Sequence, residues 1–205
     1  MAASPSSLSK NGYLELIIGP MYSGKTSKLL EIYKQCKFCD ISVCVINHSL
    51  DKRYHDTMLS SHDKLMIPCL NVCNLHDLWF NDGMIDNIEQ FDTSNRKLIQ
   101  NSDVILINEG QFFNNLYDVV YDMLQNKKTI YICGLDGDFE RKKFGEILDL
   151  IPICDNITKL SSLCSACKNG TPGIFSMRIS SEKQQTVIGS ENYLPVCRNC
   201  YDKNM

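Results

Sequence analysis

The 205-residue chain lacks any apolar run near the ~20 residues that a membrane-spanning helix requires. It also has little excess charge, since 21 Lys and Arg face 24 Asp and Glu and leave a net charge of −3. A dedicated nucleic-acid-binding protein usually presents a basic face, so this balance argues against one. The polar segment Met1–Lys10 has no apolar stretch of the kind found in secretory signals. These absences predict a cytoplasmic globular protein with a disordered tail over residues 1–12 and with neither a membrane nor a nucleic-acid partner.

Cysteine, in contrast, is abundant, with eleven residues in the chain. Disulfides are rare in the cytosol, so metal ligation or simple burial explains such a count better. Two pairs have the spacing C-x-x-C, Cys164 with Cys167 and Cys197 with Cys200. Four thiolates suit tetrahedral Zn²⁺ and leave no open coordination position. The pairs therefore predict a structural zinc site, and a redox disulfide is the weaker alternative.

The other cysteines and the histidines show no complementary ligand spacing. The pair Cys36 and Cys39 has no second pair to complete a site. Five cysteines are expected to be buried as small apolar residues: Cys44, Cys69, Cys73, Cys133 and Cys154. Four histidines are expected in solvated loops: His48, His55, His62 and His76.

A phosphate-binding loop is the most informative motif, with the spacing G-x-x-x-x-G-K-[ST]. Its residues are Gly19, Pro20, Met21, Tyr22, Ser23, Gly24, Lys25 and Thr26. An apolar strand over 13–18 precedes it, and apolar residues at helical spacing follow it as far as about Cys39. Lys25 can reach the β- and γ-phosphates of a nucleotide, and the Thr26 hydroxyl can ligate Mg²⁺. Motors, helicases, GTPases and small-molecule kinases share the motif, and a chance match is the remaining alternative.

Further buried strands over 42–47, 104–108 and 129–133 alternate with helical segments. This alternation predicts an α/β fold of the P-loop NTPase kind, with a parallel sheet covered by helices on both faces. Ligands of such sheets bind beyond the carboxyl ends of the strands. The pattern changes near residue 157, so we expect a nucleotide-binding domain over 13–156 and a small zinc-binding domain over 157–205.

The strand over 104–108 runs directly into a polar segment that begins with Asn108 and Glu109. In P-loop proteins a carboxylate at this place holds Mg²⁺ through water or accepts a proton from the attacking group. Glu109 is the carboxylate at this strand end, and Asn108 stands where an aspartate is usual. We expect Asn108, Glu109, Gly110 and Gln111 to lie on the nucleotide side.

Several motifs in fixed order resemble the type II thymidine kinases, which combine a P-loop domain with a zinc-bearing loop called the lasso. They are the phosphate loop 19–26, Asp51–Tyr54, Glu109–Phe113, Gly134–Gly145, and the two cysteine pairs that close on Arg198–Tyr201. The resemblance covers essentially everything from Tyr13 to Tyr201. The family usually has aspartate before the catalytic glutamate, so Asn108 is a departure.

The resemblance implies transfer of the ATP γ-phosphate to the 5′-hydroxyl of thymidine or deoxyuridine. It implies that Glu109 is the general base, that Lys25 and Arg53 are catalytic, and that Asp51 and Lys52 contact the phosphate side. It also implies a homotetramer and feedback inhibition by dTTP. The nucleoside would contact Met21, Phe112, Leu135, Phe139, Ser176, Gln185, Thr186, Val187, Ile188, Gly189 and Tyr193, with Arg178 just before the lasso.

Three other functions remain as alternatives. The first is a related kinase with a shifted or broader base preference. The second is a nucleic-acid-dependent ATPase with a zinc ribbon, which the acidic balance and the short chain disfavour. The third is a non-catalytic zinc-ribbon interaction module on a degenerate nucleotide fold.

Overall fold

The structure is a computed structural model that describes residues 11–51, 58–60, 66–80, 93–187 and 189–203. Lys52, Arg53, Ile188 and most of the predicted tail lie outside these ranges. Twelve strands and five α-helices make up the described part of the chain. The strands are β1 Tyr13–Ile18, β2 Val43–His48, β3 Met58–Ser60, β4 Met66–Pro68, β5 Leu70–Val72, β6 Val104–Ile107, β7 Thr129–Gly134, β8 Asn156–Lys159, β9 Ser162–Leu163, β10 Pro172–Gly173, β11 Phe175–Arg178 and β12 Tyr193–Val196. The α-helices are α1 Lys25–Phe38, α2 Leu75–Trp79, α3 Thr93–Asn101, α4 Leu116–Gln125 and α5 Arg198–Asp202, and short 3-10 segments occupy Gly110–Phe112, Ile147–Ile153 and Ser190–Asn192.

Six strands form one sheet in the order β5-β2-β6-β7-β1-β8, and every neighbouring pair is parallel. The central strands β6 and β7 are buried at every position, as parallel strands covered on both faces must be. One face packs against α2, α3 and α4, and the other packs against α1. The predicted fold class is confirmed.

Helix α4 illustrates how the sequence builds these layers. Leu116, Val119, Val120 and Met123 are all fully buried and recur at helical spacing, so α4 presents one apolar stripe to the sheet. The tryptophan of α2, Trp79, is 8% exposed and belongs to the core cluster on the same face of the sheet.

The edge strand β8 pairs with β1 in the main sheet, from Glu15 with Asn156 to Ile18 with Lys159. The expected domain boundary at 156/157 falls within this strand. Beyond it, β9 with β10 and β11 with β12 form small antiparallel pairs beside α5. Their own apolar cluster contains Val196 and Tyr201 together with two of the paired cysteines. Among the described residues, no helix is long and apolar enough to cross a membrane.

Candidate active site and cysteine cluster

The phosphate loop connects β1 to α1 at the carboxyl edge of the sheet. Gly24, immediately before α1, has φ 84°, a left-handed conformation that glycine adopts without strain. The Lys25 ammonium donates to the Pro20 carbonyl at 2.7 Å and so folds back over its own loop. The Lys25 side chain thus lies over the loop, where its ammonium would also contact a bound phosphate.

The segment after β6 lies beside this loop. Glu109 is a non-glycine residue at φ 55° and ψ 43°, a conformation that is rare and often found at functional sites. Its Oε2 accepts from Gln111 Nε2 at 2.7 Å, while Gln111 Oε1 accepts from the Leu135 backbone N–H at 3.0 Å. Gln111 therefore ties the Glu109 carboxylate to the end of β7.

A glycine of the predicted motif 134–145 explains how Gln111 is held. Gly145 has φ 61°, and a Cβ at this position would lie 2.1 Å from the Gln111 carbonyl oxygen. A side chain at Gly145 would therefore push the Gln111 backbone away, so only glycine fits here.

One cleft gathers most of the predicted residues. It is lined by Met21, Tyr22, Ser23, Gly24, Lys25, Thr26, Asp51, Glu109, Gln111, Phe112, Leu135, Phe139, Ser176, Gln185, Thr186, Val187, Gly189 and Tyr193. Gly19, Pro20, Asn108 and Gly110 are not among its lining residues. Phosphate-loop residues, aromatic side chains and Glu109 thus line the same cleft.

Aromatic contacts fix the wall around Phe112. The Phe144 ring meets it edge-on with centroids 5.5 Å apart, and the His48 ring lies 5.6 Å away on a tilted plane. A ring held by two neighbours keeps its face available to a flat ligand at little cost in rotamer entropy.

Arg178, at the end of β11, holds the lasso, which the structure describes over residues 179–187 and 189–193. Its guanidinium carbon lies 3.7 Å from the centroid of the Phe139 ring. Its two terminal nitrogens donate to the carbonyls of Glu182, Gln184 and Gln185 and to the Tyr193 hydroxyl. One planar cation thus ties the lasso backbone to an aromatic residue of the cleft.

Two hydrogen bonds join the phosphate loop to the lasso region. The Met21 backbone N–H donates to Ser176 Oγ at 2.9 Å, and the Tyr22 hydroxyl donates to the Ser190 carbonyl at 2.6 Å. The phosphate loop is therefore in direct contact with the lasso region.

The four paired cysteines converge behind this region. The sulfur atoms of Cys164, Cys167, Cys197 and Cys200 all lie within 4.8 Å of one another, and they are the group of metal-ligating side chains found among the described residues. Backbone N–H groups, chiefly that of Cys167, lower the pKa of Cys164 to about 6, which favours the thiolate form that binds metal. Zn–S bonds of about 2.3 Å require sulfurs roughly this close, so the cluster can hold a metal such as zinc.

Several expectations about isolated residues are wrong, while His55 and His62 lie outside the described residues. Cys73 is exposed and Cys69 and Cys154 are half-buried, whereas Cys44 and Cys133 are buried as expected. His76 lies within helix α2 rather than in a loop. His48 is 4% exposed rather than solvated, because it ends the buried strand β2. Its Nδ1 accepts from the Leu50 N–H at 3.1 Å, and burial lowers the pKa of His48 below its ordinary value, so the ring is neutral at neutral pH.

Sequence reasoning missed several residues around the cleft. Asn47 and His48 are polar residues at the carboxyl end of a buried strand, the kind of position that identified Asn108 and Glu109, and the same rule could have found them. Asp138 is 7% exposed and accepts from Gln185 Nε2 at 2.7 Å, which joins the 138–142 turn to the lasso. No local pattern marks Asp138, because its partner is distant in sequence.

Comparison with known proteins agrees with this geometry. The family model described as thymidine kinase matches residues 12–201. The thymidine kinase of Sheeppox virus strain KS-1 is 36% identical over 191 residues, covering 93% of this chain and 97% of that protein. Thymidine kinase 1 of Dictyostelium discoideum is 34% identical over 198 residues, covering 94% and 79% respectively. The cytosolic thymidine kinase of Bos taurus is 33% identical over 201 residues, covering 97% of this chain and 76% of that protein. Because the family match spans nearly the whole chain and the relatives align over most of their own length, the chain belongs to the thymidine kinase family.

Proposed function

We infer that the protein transfers the γ-phosphate of ATP to the 5′-hydroxyl of thymidine, and of deoxyuridine, to give the 5′-monophosphate. The observation that carries this function is that phosphate-loop residues, aromatic side chains and Glu109 line one and the same cleft. A triphosphate on the loop and a pyrimidine between the aromatic residues would meet beside Glu109. Membership of the thymidine kinase family supports the same reaction.

Glu109 is proposed as the general base. A hydroxyl nucleophile must lose a proton as it attacks phosphorus, and a carboxylate within hydrogen-bond reach can accept that proton. Gln111 Nε2 donates to Glu109 Oε2 at 2.7 Å and so orients the carboxylate in the cleft. Lys25 would neutralise charge on the transferring phosphoryl group, and Arg53, outside the described residues, is proposed to assist it.

Magnesium is proposed to arrive with the nucleotide. Thr26 Oγ1 lies 3.5 Å from Asn108 Oδ1, so two oxygen atoms converge beside the phosphate loop, and Mg²⁺ prefers oxygen ligands. Thr26 would hold the ion, and its charge would stabilise the negative charge that develops in phosphoryl transfer.

The cysteine cluster is proposed to hold a structural Zn²⁺. Four sulfur ligands leave no open position for substrate, so the metal would act on the fold rather than on the reaction. The cluster lies at both ends of the chain segment that contains the lasso, and fixing those ends lowers its conformational entropy.

The family resemblance further supports a homotetramer, feedback inhibition by dTTP and a cytoplasmic location. Light scattering on the purified protein and a dTTP titration of its activity test the first two. A measured mass equal to that of a monomer would contradict the homotetramer, and activity unchanged by dTTP would contradict feedback inhibition.

The function is tested by measuring ADP release from MgATP over a panel of nucleosides, with and without DNA or RNA. We expect thymidine and deoxyuridine to stimulate ADP release and nucleic acids to have no effect. Purine nucleosides serve as the control panel. Stimulation by DNA or RNA alone would instead favour a nucleic-acid-dependent ATPase, and strong turnover of other nucleosides would favour a broader kinase.

A further inference from the structure

Three asparagines, two of them buried, form a chain of side-chain hydrogen bonds across β6, β2 and β5 near the phosphate loop. Asn108 Nδ2 donates to Asn47 Oδ1 at 2.7 Å, and Asn47 Nδ2 donates to Asn71 Oδ1 at 2.9 Å. Asn47 and Asn108 are 2% and 1% exposed. Because buried amides require partners, these bonds fix the direction in which each side chain points.

Direction matters at Asn108, because an asparagine can present either its carbonyl oxygen or its amino group to a site. Here Oδ1 faces Thr26 Oγ1 at 3.5 Å and accepts from Cys133 Sγ at 2.9 Å. If the Asn108 amide were reversed, its amino group would face the Cys133 thiol. Its Oδ1 would then face Asn47 Oδ1, and two acceptors would oppose each other. The bond to Asn47 therefore selects the orientation that turns the Asn108 carbonyl toward Thr26.

The selected orientation determines what the Thr26 hydroxyl can do. A hydroxyl that donates its proton to Asn108 directs its lone pairs elsewhere, and a divalent cation binds to lone pairs. With Asn108 reversed, an amino group would point its positive end toward the same place and oppose the cation.

We propose that Asn47 is a positioning residue for the divalent cation that accompanies the nucleotide, acting by holding the carbonyl oxygen of Asn108 toward Thr26. The proposal rests on the proposed function, because it requires a nucleotide on the phosphate loop. Asn47 does not line the cleft and acts through Asn108. Replacing Asn47 should therefore change how much the cation increases nucleotide affinity, and not the affinity measured without the cation.

The test measures ADP affinity by calorimetry, once with excess Mg²⁺ and once with EDTA, so that no turnover is involved. In the Asn47→Leu variant the ratio of the two affinities should fall roughly tenfold, as is typical when a residue that orients a metal-binding group is removed. The affinity in EDTA should stay within about twofold, since the phosphate loop keeps its own contacts. An unchanged ratio would overturn the proposal.

If Asn47→Leu fails to fold, matched variants of Asn71, the last asparagine of the chain, test the proposal independently. Asn71→Leu removes the acceptor that orients Asn47 and should lower the ratio in the same direction, by less. Asn71→Asp keeps an acceptor oxygen and should retain the wild-type ratio. Equal ratios in both variants would contradict the proposal.

A second background separates orientation from folding. Asn108→Asp presents an oxygen to Thr26 whichever way it points, so adding Asn47→Leu to it should no longer lower the ratio. A tenfold fall in this background as well would show that Asn47 acts on the fold, and would overturn the proposal. Failure of the wild-type protein to bind ADP under either condition would instead refute the proposed function, and the role of Asn47 with it.

Discussion

The contacts of Arg178 lead to a sharp prediction for the Arg178→Lys variant. The guanidinium binds three lasso carbonyls and the Tyr193 hydroxyl while it covers the Phe139 ring. A lysine keeps the charge but lacks the planar fork, so it cannot satisfy these acceptors together.

The expected magnitude follows from those contacts. Each hydrogen bond to a charged donor contributes about 1.5–3 kcal/mol in protected sites, and the cation–π contact about 0.5–2 kcal/mol. Arg178 is partly exposed, and water and the lysine replace some of these contacts, so a net loss of about 2 kcal/mol is the reasonable expectation. That loss corresponds to a roughly thirtyfold lower affinity for the nucleoside.

Two measurements test this reasoning. The KM for thymidine should rise roughly thirtyfold while the KM for ATP stays within about twofold, because Arg178 contacts the lasso and not the phosphate loop. Trypsin should also cut faster after the exposed Lys183 in the lasso. Arg198→Lys is the control, since Arg198 is exposed and its guanidinium carbon lies 5.0 Å from the centroid of the Phe175 ring. An unchanged thymidine KM together with unchanged proteolysis would refute the role of Arg178.

Three further outcomes are expected. Glu109→Gln should lower kcat by roughly 10²–10⁴ while leaving ADP affinity unchanged, as loss of a general base predicts, and near-normal turnover would remove it from that role. Cys197→Ser should abolish stoichiometric zinc by atomic absorption and raise the thymidine KM, whereas Cys39→Ser, at an exposed thiol outside the cluster, should do neither. Burial lowers the pKa of His48 from 6.5, so its neutral form contributes stability above about pH 6.5 that is lost as the pH falls through the lowered folded pKa. His48→Asn should therefore flatten the pH dependence of the unfolding free energy below pH 6.5, and an unaltered slope would contradict this assignment.

The donor side of the cleft was predictable because its signals are local. The strand before the phosphate loop, the loop and helix α1 are contiguous, and the observed bounds Tyr13–Ile18 and Lys25–Phe38 agree with the expected ones. The strands β6 and β7 were equally clear, since continuous apolar runs mark strands that are buried on both faces.

Strand β8 was not predictable for the opposite reason. Asn156 and Lys159 are exposed, and the strand lies at the sheet edge with one neighbour, so no apolar run identifies it. Its pairing with β1 is a tertiary interaction that outweighs weak local preference. The expected domain boundary at 156/157 was drawn where the alternation of helices and strands ends, and β8 spans that point.

The acceptor side depends on contacts between distant segments. Phe139 and Arg178, or Asp138 and Gln185, meet only after the lasso has folded onto the 138–142 turn. Such pairs have no periodicity that a single sequence can reveal, and here the resemblance to a family supplied what periodicity could not. The asparagine chain is intermediate, because each member follows or lies near a strand end but their hydrogen bonds depend on strand order.

The β11/β12 pair links the cysteine cluster to the cleft. This link predicts which of the two affinities, for nucleoside or for nucleotide, metal loss should weaken more. In their register Arg178 pairs with Tyr193 and Ser176 with Pro195, and Cys197 follows β12 directly. Displacement of β12 by loss of the metal would therefore shift both the cation that holds the lasso and the hydroxyl that accepts from the Met21 N–H. The phosphate loop contacts this hairpin through Met21, but it is carried by β1 and α1, which pack in the main sheet and its core. Its nucleotide affinity should therefore depend on the hairpin less than nucleoside binding does. Metal removal should accordingly weaken nucleoside binding far more than ADP binding, and equal losses of both would show that the cluster supports the whole fold instead.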